Sequence, residues 1–111
     1  MKAHPGAAPE NRLPEFEESF PQGLAALEIA VHDLLSTGWE EPRRRRAHEI
    51  STALCDAAKM SGWKETGGIL QAISSLLTLS LVETLSVREA IRDKLLELLG
   101  LLRGSARSET A

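Results

Sequence analysis

The chain has 111 residues, 42% of them hydrophobic and 26% charged, with a formal net charge of −3, which fits one globular domain and leaves no room for two independent cores. Its single cysteine, Cys55, excludes a disulfide framework and any cysteine-rich zinc module, and His4, His32 and His48 share no metal-ligand spacing, so no metal or other cofactor is expected. The acidic balance argues against nucleic acid as a partner, and no apolar run approaches the roughly 18–20 residues of a membrane span, nor does Met1–Pro9 carry a signal-peptide stretch, so a cytoplasmic protein is expected.

In chain order, residues 1–12 read as a flexible leader of small residues and prolines, 13–102 as a helical body, and 103–111 as a flexible tail. Leu13 to Phe20 predicts a short extra helix whose Phe16 and Phe20, at i and i+4, dock on one end of a bundle. Pro21 and Gly23 then separate it from helix one, Leu24 to Ser36, with Leu24, Leu27, Val31 and Leu34 as its buried seam and Thr37-Gly38 as its stop. His32 falls beside that seam. Helix two is predicted from Glu41 or Pro42 to Ser61, with Pro42 in the first turn and Gly62 as the left-handed cap.

Helix three is predicted from Lys64 or Glu65 to about Thr78, weakened at its start by Gly67-Gly68 and carrying Ile69, Leu70, Ile73, Leu76 and Leu77 on its apolar face. Helix four opens on a Ser86/Glu89 capping-box pattern and repeats Ile91, Leu95, Leu98 and Leu102 as a seam. Trp39 and Trp63 follow the helix-breaking glycines and are assigned to bundle-end packing. The expected fold is all-α, an antiparallel four-helix bundle with a short extra N-terminal helix.

A projection of helix two at about 100° per residue puts Ala47, Ile50, Leu54, Ala57, Ala58 and Ser61 on the core side. Opposite them, Arg45, His48, Cys55, Asp56 and Lys59 fall within about 60° of Thr52 and form one outward stripe. Cys55 and His48 are about 10.5 Å apart along the helix, far beyond the roughly 3 Å that a thiol and its base require. His48 and Thr52 lie one turn apart but have no third residue to orient the imidazole, so no enzymatic activity is expected. The run Arg43-Arg44-Arg45-Arg46 is the strongest charge signal. It reads either as a solvated patch partly neutralised by Glu40, Glu41 and Glu49, or as a docking patch for an acidic protein surface.

The stretch from Thr52 to Trp63 resembles the centre of histidine-phosphotransfer (HPt) domains, especially the N-terminal domain of chemotaxis-type histidine kinases. That family pattern reads His-x-Leu-Lys-Gly-x-Ala-x-x-x-Gly; Leu54, Ala58 and Gly62 match it, and Met60 and Trp63 are compatible. Thr52 stands where the family has its phosphorylated histidine, Cys55 where it has a lysine, and Asp56 where it has a glycine. The resemblance therefore implies a degenerate member that keeps the scaffold and lacks the phosphotransfer chemistry.

The expected function is that of a non-catalytic, protein-binding module in bacterial two-component or chemotaxis-type signalling. Its partner would be an acidic receiver domain or a signalling kinase. The binding residues would be Arg43, Arg44, Arg45, Arg46, His48, Thr52, Cys55, Asp56 and Lys59. One alternative is an active phosphorelay protein with His48 as acceptor. Another is a homodimerising adaptor that pairs through leucines around Leu96, Leu99 and Leu101.

Overall fold

The computed structural model describes residues 7–79 and 85–110, with side chains described for residue 16, 18–79 and 87–107. The described residues form four helices: α1 (Ala7–Ser36), α2 (Glu41–Met60), α3 (Lys64–Leu76) and α4 (Leu85–Thr110). No strand occurs among the described residues, and the fold is the all-α four-helix bundle expected. Cross-helix contacts define its up-and-down course. Gly23 of α1 stands against Leu54 of α2, while Asp33 reaches Arg43. Between α2 and α3 the pairs are Cys55 with Gly67 and Ser51 with Ser74. Thr66 meets Ser105 between α3 and α4, and Glu28 meets Arg103 between α1 and α4.

The core is a stack of helical seams. Leu27, Val31 and Leu34 of α1, Leu70, Ile73 and Leu77 of α3 and its cap, and Leu95 and Leu102 of α4 are fully enclosed. Each burial contributes on the order of 1.5–3 kcal/mol relative to an exposed side chain. Leu24, Ile69 and Leu76 pack against this core while half-buried.

The expected break at Pro21 is absent, and α1 runs unbroken from Ala7 to Ser36. A proline inside a helix costs about 3 kcal/mol. Packing on both sides of it opposes that cost: Phe16 and Phe20 are buried and Leu27 is sealed, so both halves of α1 are held on the bundle. Phe16 meets Trp63 edge-on at 4.6 Å between ring centroids, and Phe20 lies 5.6 Å from the same indole. The docking of these phenylalanines on a bundle end was legible; their membership in one long helix was not. α1 also takes in part of the presumed leader, whose residues 1–6 lie outside the described residues.

The tail read as flexible is likewise helical, because α4 continues to Thr110. Ser105 is buried there and shares a 2.9 Å hydrogen bond with Thr66, which ties the extension to α3. The side chain of Ser86 lies outside the described residues, so the capping-box expectation falls there.

Two turns share one solution. Gly62 has φ +81°, its N–H donates to the Lys59 carbonyl, and the Trp63 N–H donates to the Ala58 carbonyl at 2.8 Å. That is the paired hydrogen bonding of a Schellman cap. After α1, Gly38 has φ +83° and the Trp39 N–H donates to the Leu34 carbonyl at 3.0 Å. Each tryptophan thus occupies the second residue beyond the C-cap of its helix, where an apolar side chain folds back on the last turn. Both are buried, as bundle-end packing requires. Trp39 also donates through Nε1 to the Leu79 carbonyl at 2.6 Å.

Candidate functional site on the outer side of α2

The buried face of α2 is Ala47, Ser51, Cys55 and Ala58, rotated toward α3 from the face that hydropathy alone indicates. Ile50, Leu54 and Ala57 only partly bury. The physical reason is that α2 has two neighbours. Its aliphatic side meets α1, while its small polar residues close against α3. Ser51 Oγ and Ser74 Oγ are 2.7 Å apart, and Cys55 Sγ donates to the Gly67 carbonyl at 3.4 Å. A hydroxyl or thiol that finds such a partner is accommodated in a core at little cost.

Cys55 is therefore 6% exposed and does not belong to the outward stripe, which corrects its placement among the binding residues. Gly67 lies where α3 comes close to the last turn of α2. A β-carbon there would stand 3.1 Å from Lys59 Cγ and 3.9 Å from Ala58 Cβ.

Thr52 and His48 are half-buried at the margin of the α2–α3 contact, and Arg45, Asp56 and Lys59 are exposed. Lys59 Nζ donates to Gln71 Oε1 at 3.0 Å across to α3. The His48 carbonyl accepts from Ser51 Oγ, but no hydrogen bond joins the imidazole to Thr52. The structure brings His48, Thr52, Asp56 and Lys59 onto one side of the helix with no base, nucleophile and orienting group in contact. Among the described residues no three His, Cys, Asp or Glu side chains gather as metal ligands do.

The four arginines diverge. Arg43 Nε donates to Glu40 Oε1 and its Nη1 to Asp33 Oδ2, each at 2.9 Å. Arg44 grips Glu41 with two bonds, Nε to Oε1 at 2.9 Å and Nη2 to Oε2 at 2.6 Å, and sends Nη1 to the Leu77 carbonyl at 2.7 Å. Arg45 Nη2 reaches the same Glu41 carboxylate at 3.3 Å. The Arg44 hydrogen bond, opposed by desolvation and helped by the charges of Arg44 and Arg45, holds the Glu41 carboxyl below its ordinary range. Arg43 and Arg44 are held above theirs, chiefly through the hydrogen bonds to Glu40 and Glu41 respectively.

A cation run is unfavourable at the positive end of its own helix, but Leu77 caps the C-terminus of α3, where a cation is favoured. Arg44 serves that second helix. Arg46 is exposed beside Asp33 and Arg43 in a shallow cleft against α1 and has no ion pair among the described residues.

His32 is exposed on α1 rather than lodged beside its seam, and His4 lies outside the described residues. On α4, Leu99 is buried while Leu96 and Leu101 are exposed, so the apolar outer side of that helix omits Leu99. No helix among the described residues is long and apolar enough to cross a membrane. The chain matches no family model, and no curated protein and no solved structure matches it significantly.

Proposed function

We propose that this chain is a non-catalytic, HPt-like binding module of the cytoplasm that docks an acidic protein, such as a receiver domain or signalling kinase in two-component signalling, on the outer side of α2. The observation that supports this reading is the strip along α2 in which Arg45, Asp56 and Lys59 are exposed and His48 and Thr52 half-buried between them, a mixed polar surface. Cys55, where the resembled family has a lysine, is enclosed against α3, so that position supplies no cation to a phosphoryl group. Thr52 has no imidazole nitrogen to pass phosphate onward. Arg43 and Arg44 are engaged on the protein's own carboxylates, and Arg45 touches Glu41 through one 3.3 Å contact while its side chain stays 65% exposed, so Arg45, Arg46 and Lys59 are the charges that steer a partner.

Calorimetric titration against a panel of purified receiver domains tests this. The double variant Arg45→Glu, Lys59→Glu should weaken the tightest complex by about tenfold, or about 1.4 kcal/mol, and flatten its salt dependence. An unchanged affinity rejects the face. In parallel, the chain is incubated with a phosphorylated receiver. Acid-labile label that appears on the wild type and vanishes in His48→Gln would replace this reading with active phosphotransfer.

A further inference from the structure

We propose that α4 pairs with the α4 of a second copy of this chain, antiparallel and crossing at Gly100. The side of α4 turned into the bundle is filled by Ile91, Leu95, Leu98, Leu99 and Leu102. At about 100° per residue, the opposite side carries Asp93, Leu96, Glu97, Gly100, Gly104 and Arg107, all exposed. Leu96 is 40% exposed and Leu101, at the edge of the same side, 51%. These are two large apolar side chains on a helix that has already buried a full seam.

The two glycines are not explained by packing within the chain, since a β-carbon at either would meet nothing within 4 Å. Each nonetheless weakens the isolated helix by about 1 kcal/mol relative to alanine.

The order of charges selects the occupant. On that side the acids Asp93 and Glu97 precede Gly100, and the base Arg107 follows it. A twofold axis through Gly100 sets each residue against the one equally far on the other side. Asp93 then faces the partner's Arg107 and Leu96 lies over the notch at the partner's Gly104, while Arg103, on the α1 flank, stays with Glu28 of its own chain. Arg92 and Lys94, which flank the acids and bridge to Asp93 and Glu97 within the monomer, stay on the flanks.

A parallel pair would instead set Asp93 against Asp93 and Arg107 against Arg107. Such an isologous contact closes on itself and stops at two copies. From Asp93 to Arg107 the contact spans about 21 Å of helix, small for a protein interface, so it is weak and reversible.

Sedimentation velocity on the full chain over a wide concentration range tests the pairing. The expected result is a reversible monomer–dimer equilibrium with a Kd of roughly 10–100 μM. Gly104→Gln, placed in open space, should weaken it at least about tenfold while circular dichroism stays unchanged. Asp93→Arg should weaken it as well, and adding Arg107→Asp to the same chain should restore it.

A strict monomer at every concentration overturns the proposal, as does a dimer indifferent to Gly104→Gln or a charge swap that fails to restore pairing. None of these outcomes bears on the α2 face, which lies on a different helix.

Discussion

Gly62 and Gly68 show how differently one residue type acts in this chain. Gly62 holds φ +81° with open space around it, so only its backbone conformation matters. Gly62→Ala should destabilise the fold by about 1 kcal/mol, the cost of a β-carbon in the left-handed region. Gly68 is an exposed helical residue with equally open surroundings, and Gly68→Ala should stabilise by about 0.5–1 kcal/mol through helix propensity alone. Chemical denaturation of the two variants beside the wild type checks the opposite signs. The role of Gly62 was legible because a glycine after an amphipathic stretch and before a tryptophan is a strong stop signal. Burial of Cys55 was not. A thiol on a polar flank reads as exposed, whereas free cysteine is among the most buried residue types once a neighbouring helix accepts it.

At the scale of the element, α1 shows packing overruling local preference. Pro21 and Gly23 mark a boundary in sequence, yet Phe16 and Phe20 reach Trp63 at the far end of α2 and hold the helix together. Phe16→Ala should cost about 3 kcal/mol and reduce helical circular dichroism at moderate denaturant before the rest of the bundle melts. Loss of all helical signal in one step would show that the N-terminal half of α1 is integral to a single cooperative unit. The boundaries of α2 were readable from Pro42 and Gly62, and its seam nearly so. Its rotation was not, because Ser51 and Cys55 count as polar until Ser74 and Gly67 are known to stand opposite them. Likewise, four consecutive arginines announce a cationic surface, and only the fold reveals that Arg44 spends its guanidinium on Glu41 and the Leu77 carbonyl.

For the molecule as a whole, the order of contacts places α2 between α1 and α3, and α4 between α3 and α1. The outer sides of α2 and α4 therefore point away from each other, and occupancy of one leaves the other open. The bundle architecture followed from helical periodicity and short turns, since both reflect local rules that tertiary contacts reinforce. The surface could not be read as directly, because the pattern that says which side is wet does not say what the wet side meets.

The sole thiol of the chain, sealed in the seam between α2 and α3, doubles as a built-in clock. A disulfide reagent can consume it only during those moments when the two helices part, so its rate of modification counts openings that no spectrum averages over. In the native protein that rate should fall at least roughly a hundredfold below the rate in denaturant. Its temperature dependence then separates the parting of one helix pair from the melting of the entire bundle.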